Sequence, residues 1–170
     1  MGEVVFNEFF YVNLTTKAVI EGIHFSDTFV NYHFLSKRRI EVLEDPFTRL
    51  PYLVRFTLRD GVSAEQSYNT YAEIFLMNNP LRPQLLDVID NTFFEMERLS
   101  IADYQIHNNL IYILAYNRGI YELRLTRDQH VQIRSFLPLT QDIYRFRVDQ
   151  LGFNDDLNVV ASNGNMIYQY

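Results

Sequence analysis

The chain has 170 residues, 15 basic and 21 acidic, for a formal net charge of −6. Hydrophobic residues make up 48% and aromatic residues 15%, with neither Cys nor Trp. This composition excludes a disordered tail, a disulfide scaffold, a thiolate zinc site and a Cys nucleophile. The acidic balance argues against a nucleic-acid partner, which calls for a basic face. Glu3 and Glu8 interrupt any leader-like start. No apolar run approaches the roughly 20 residues that span a bilayer, so no direct membrane insertion is expected. The expected setting is intracellular and cytoplasmic.

In chain order, Val4–Leu14 is aromatic-rich and strand-like. Phe29–Phe34 and Arg39–Glu44 read as a hairpin around Ser36-Lys37. Tyr52–Leu58 alternates Leu53, Arg55 and Thr57 against Val54, Phe56 and Leu58, the period of a strand. Thr70–Met77 reads as a strand, or as the end of a helix that Ser63 and Gln66 would cap. In Gln84–Leu99, Leu85, Ile89, Phe93 and Met96 fall on one helical stripe after Pro83. Asn91-Thr92 is a poor helix centre, and two strands are the favoured reading because both neighbours are strands. One helix within 63–99 stays open.

The last 70 residues are the most regular. Ile101–His107, Leu110–Tyr116 and Ile120–Thr126 are successive strands, separated by turns at Asn108-Asn109 and Asn117-Arg118-Gly119. A fourth strand carries Val131, Ile133 and Phe136 and closes near Pro138. The pattern restarts with Ile143–Leu151, Leu157–Ala161 and Met166–Tyr170, the last two joined at Asn163-Gly164. An offset of 47 residues places Leu110 on Leu157, Ile120 on Ile167 and Tyr121 on Tyr168. Ile40, 80 residues before Ile120, marks a fainter copy. Periods of about 40 to 50 residues with several strands each are a propeller signature.

The units 101–138 and 143–170 resemble the strands of a WD40-like β-propeller blade, without the Gly-His and Trp-Asp marks of that family. The resemblance carries architecture and no functional residue. It implies an all-β domain of antiparallel four-stranded units of about 40–47 residues, propeller-like, either a single domain over 1–170 or part of a larger propeller. It also implies an interaction platform. Met166–Tyr170 would be an edge strand open to a partner. The interaction candidates are therefore Met166, Ile167, Tyr168 and Tyr170, with the basic pair Arg38 and Arg39. The 13 Arg against 2 Lys, beside 12 Tyr, point the same way, because Arg and Tyr are enriched at interfaces and Lys is depleted.

Catalytic constellations are thin. His24, Asp27 and His33 are too few and too local for a metal site. Asp87/Asp90 and Glu95/Glu97 have the residue types for glycosidase carboxylates, but such pairs are common on solvated faces. Phe9, Phe10, Tyr11, Tyr68, Tyr71, Phe93 and Phe94 could stack on bases or sugars, yet most aromatics must fill the core. There is no Gly-x-Ser-x-Gly, no His-Glu-x-x-His and no Gly-rich phosphate loop. The expectation is a non-enzymatic protein-interaction module or scaffold subunit, without catalytic residue, metal or cofactor. The alternative is a small-ligand-binding or hydrolytic β-domain.

Overall fold

The computed structural model describes residues 10–12, 15–22, 37–45, 47–58, 70–78, 83–128, 130–139, 143–150, 157–163 and 167–169. Every regular element among them is a strand. The strands form four antiparallel sheets. A short pair joins β1 (Phe10–Val12) and β2 (Val19–Gly22). The first large sheet runs β3 (Lys37–Glu44), β4 (Pro51–Leu58), β5 (Tyr71–Leu76) and β6 (Gln84–Ile89). The middle sheet runs β7 (Ile101–His107), β8 (Leu110–Ala115), β9 (Gly119–Leu125) and β10 (Val131–Pro138). The third contains β11 (Arg145–Gln150), β12 (Leu157–Ser162) and β13 (Ile167–Gln169).

The propeller-like architecture is not what forms. Each sheet is a discrete, open meander, and the sheets do not close into a ring. The helix left open within 63–99 is absent from the described part of that span. Residues 71–76 and 84–89 are strands, and 91–95 is a turn. Two strands in 84–99 were one too many as well. The Asp90 carboxylate accepts the Thr92 and Phe93 N–H groups at 2.9 and 3.2 Å and the Thr92 hydroxyl at 2.6 Å. That local bonding ends the strand and folds the next residues into a turn. Residues 29–34 lie outside the described residues, and β3 pairs with β4.

Alternation decides how the sheets stack. Tyr52, Val54, Phe56 and Leu58 of β4 and Ala72, Ile74 and Leu76 of β5 share a core with Ile111, Ile113 and Ala115 of β8 and Leu123 and Leu125 of β9. The opposite faces of β8 and β9, with Tyr112, Leu114 and Ile120, share a second core with Phe146 and Val148 of β11 and Ala161 of β12. The middle sheet is thus covered on both sides, which is why β8 is apolar almost throughout. Phe56 stacks on Tyr104 at 3.8 Å across the first interface. The Tyr104 hydroxyl donates to Glu41 Oε1 at 2.7 Å.

Polar side chains of β7 reach the backbone of β11. Gln105 Nε2 donates to the Val148 carbonyl at 2.8 Å, and Gln105 Oε1 accepts the Val148 N–H at 2.8 Å. The carboxamide therefore does the work of a peptide group on a neighbouring strand. Two residues earlier, Asp103 Oδ2 accepts the Phe146 N–H at 3.2 Å and faces Arg147 NH1 at 3.6 Å.

Burial pushes the Asp103 carboxyl above its ordinary value, against the lowering pull of the Phe146 and Tyr104 N–H groups and of Arg147 and Arg145. The folded chain then holds this proton more tightly than the unfolded chain. Stability owed to Asp103 therefore rises as pH falls through the folded pKa toward 3.8, and is smallest at neutral pH. Asp103→Asn removes the titration and leaves an oxygen for only one of the two N–H groups that Asp103 accepts, those of Phe146 at 3.2 Å and Tyr104 at 3.0 Å. The stability of the variant relative to wild type is therefore expected to be lower at about pH 4 than at pH 7, because only wild type gains from protonation on the way down. Urea unfolding at both pH values measures this, and a pH-independent difference would contradict it.

Candidate interaction surface

Three turns converge at one end of the stack. The β3–β4 turn includes Asp45 and residues 47–50, the β7–β8 turn is Asn108-Asn109, and the β9–β10 turn follows Leu125. Asn108 and Asn109 both have positive φ, 47° and 64°, as a two-residue type I′ hairpin needs. The Asn109 side chain then joins two sheets. Its Oδ1 accepts the Glu44 N–H at 3.2 Å, and its Nδ2 donates to the Glu44 carbonyl.

Asp45 organises the β3–β4 turn from inside. It is 3% exposed. Its carboxylate accepts the Phe47 N–H at 2.9 Å, the Thr48 hydroxyl and the Tyr52 hydroxyl at 3.5 Å. Its backbone closes the loop, accepting the Arg49 N–H at 2.9 Å and donating to the Leu50 carbonyl at 2.8 Å. Burial acts to raise the Asp45 carboxyl, but the bonds from Thr48, Phe47 and Tyr52 together hold it below its ordinary value. Arg49 takes positive φ of 62° to complete the turn.

This rigid base lifts an apolar pair into solvent. Phe47 is 52% exposed and Leu50 37%. The Arg127 guanidinium of the β9–β10 turn lies 5.5 Å from the Phe47 ring centre, within reach of a cation–π contact. Arg49 NH1 pairs with Glu44 Oε1 at 2.6 Å on the exposed flank. The turn therefore presents an exposed aromatic ring beside Arg on a loop tied down by the Asp45 hydrogen bonds.

The outer edge of β10, by contrast, is defended against strand pairing. The Asp87 carboxylate of β6 accepts the Val131 N–H at 3.0 Å. The register shifts around Arg134, between Ile133 and Ser135, and Pro138 ends the strand. A capped N–H, a bulge and a proline are the usual ways an edge is blunted.

Those residues singled out from the sequence that lie among the described residues do not gather at one place. Ile167 and Tyr168 lie in β13, paired through Ser162 and Ala161 of β12, at the edge of the third sheet. Met166 and Tyr170 lie outside the described residues. Arg38 and Arg39 sit in β3 opposite Thr57 and Phe56, at an edge of the first sheet. Asp87 and Asp90 are occupied by the backbone bonds given above, and Glu95 lies in the turn at positive φ of 53°. Glu97 is exposed. Phe94 packs on Tyr121 at 4.4 Å, inside the first core. His24, Asp27 and His33 lie outside the described residues. Among the described residues no group of three or more His, Asp or Glu could hold a metal ion. No described helix is long and apolar enough to cross a membrane.

Sequence reasoning passed over Asp45, Phe47 and Leu50. The available signal was the spacing of Asp45 and Thr48, three apart after a strand, which is turn chemistry. No family model, curated protein or solved structure matches the chain.

Proposed function

We propose that the chain is a non-enzymatic protein-binding module, a subunit or scaffold element of an assembly, and that it binds through the end built on Phe47. The observation that carries this reading is the exposed Phe47 ring on the Asp45-braced turn, with Arg127 beside it. Binding at such a place loses little conformational freedom, because the turn is already fixed. The surplus of Arg and Tyr over Lys in the sequence supports the same reading. The same reading places the chain in the cytoplasm.

Native mass spectrometry of the chain recovered from its own cells tests the reading. Phe47→Ser is expected to lose a stoichiometric protein companion by at least tenfold, because an anchor residue is worth about 2 kcal/mol or more. Ile133→Ser, on the defended β10 edge, is expected to retain it. Equal retention by both variants, or a wild-type chain that carries no companion, would remove the proposal.

A further inference from the structure

We propose that Tyr116 and Tyr144 form an oxidative cross-linking site that locks the third sheet to the middle sheet. The two rings stack with centroids 5.3 Å apart and 21° between their planes. Their hydroxyl oxygens lie 3.3 Å apart, which brings the hydroxyl-bearing ends of the two rings, where coupling occurs, toward one another. Among the described residues this is the stacked pair made of two tyrosines. Both are half-buried, so part of each ring meets solvent while the packing holds it.

The backbones on either side are anchored. The Tyr116 N–H donates to the Ser100 carbonyl at 2.8 Å, and the Tyr144 N–H donates to the Ser162 carbonyl at 3.0 Å. The turn after Tyr116 is closed by Arg118 N–H on the Ala115 carbonyl, and the Arg118 carbonyl accepts the Leu139 N–H, each at 3.1 Å. Tyr116 follows β8 and Tyr144 precedes β11, so a bond between them would tie two sheets together. The chain contains no Cys and no Trp, so no thiol or indole competes for a one-electron oxidant.

The oxidant is a peroxide acting through a haem peroxidase. Each phenol gives up one electron and one proton, and the two phenoxyl radicals couple through their ortho carbons. Rearomatisation moves each ortho hydrogen to oxygen. One carbon–carbon bond forms, and the two electrons and two protons reduce one hydrogen peroxide to two waters. The product is the chain less two hydrogens. It closes a loop between residues 28 apart in sequence, and restricting the unfolded chain in this way stabilises the native state.

The test uses the full chain at low concentration with a haem peroxidase and limiting hydrogen peroxide, followed by peptide mass mapping. The expected main product is an intramolecular link between the peptides that contain Tyr116 and Tyr144. It should melt roughly 5–10 °C higher than the untreated chain. Tyr144→Phe keeps a ring in place, and is expected to cut the product at least tenfold while lowering the initial Tm by only a few degrees through the lost hydroxyl contact. Tyr116→Phe is expected to do the same, and serves if the first variant does not fold. Links spread evenly over other tyrosines, links mainly between chains, or a product that survives both substitutions would overturn the proposal.

Discussion

Gly119→Ala is expected to destabilise the chain by about 3 kcal/mol or more, lowering Tm by roughly 6–12 °C. Gly119 opens β9 at φ of 146°, where a side chain is strained whatever the space. The space is missing too. A Cβ there would collide with the Leu137 carbonyl oxygen and lie 2.9 Å from both Phe136 Cε2 and Pro138 Cα. Two of these neighbours are backbone of the paired strand β10, so relief requires the strand pair to separate. Phe136 stacks on Tyr121 at 4.3 Å, so moving it would disturb the aromatic contacts that run inward to Phe94. Calorimetry of the variant measures the effect. A Tm within about 2 °C of wild type would mean that the β9–β10 pairing is looser than described.

The second large effect is expected at the charge pair inside the first sheet. Arg55 Nε and NH2 donate to Glu73 Oε2 and Oε1 at 2.6 and 3.0 Å, a two-pronged contact. The side chains are only 4% and 1% exposed. Phe75 adds its ring 5.5 Å from the guanidinium. Removing one partner takes a two-pronged contact away from a buried charge, so Glu73→Leu or Arg55→Met alone is expected to cost about 3–5 kcal/mol. The double variant is expected to recover a good part of that loss, because two apolar chains carry no stranded charge. Arg49→Ala breaks the Glu44 pair, whose side chains are 78% and 54% exposed. It is expected to change stability by less than about 1 kcal/mol. Denaturant midpoints of the four variants check the series, and single variants no worse than Arg49→Ala would contradict it.

Strand positions were readable because their causes are local. The alternation in Tyr52–Leu58 and Ile120–Thr126 and the Asn turns between strands act over a few residues, and β4, β8, β9 and β10 fall where these signals place them. Even the offset of 47 has a structural counterpart, since Leu110–Ala115 and Leu157–Ser162 are β8 and β12. What a repeat does not carry is the way its copies pack. The same meander serves a ring or an open stack, and that choice rests on contacts between sheets, such as Gln105 on Val148. The stripe from Leu85 to Met96 kept a helix open because side-chain periodicity says nothing of Asp90, whose carboxylate captures the next N–H groups.

Arg55 and Glu73 show the same limit. They stand 18 residues apart and become partners only when β4 pairs with β5 in the observed register. Each alone reads as an ordinary solvent-facing charge. Phe47 lies in a segment with no period at all. Its significance comes from Asp45 beneath it and from Arg127, which a different sheet supplies.

The most direct test of the proposed binding surface is photo-crosslinking in the cells that make the protein. A photoreactive phenylalanine analogue is placed at position 47 in one chain and at position 133 in another. The account predicts one discrete protein adduct from position 47 and none from 133. An adduct formed at 133 and not at 47 would contradict it, and would move the contact to the edge of the middle sheet.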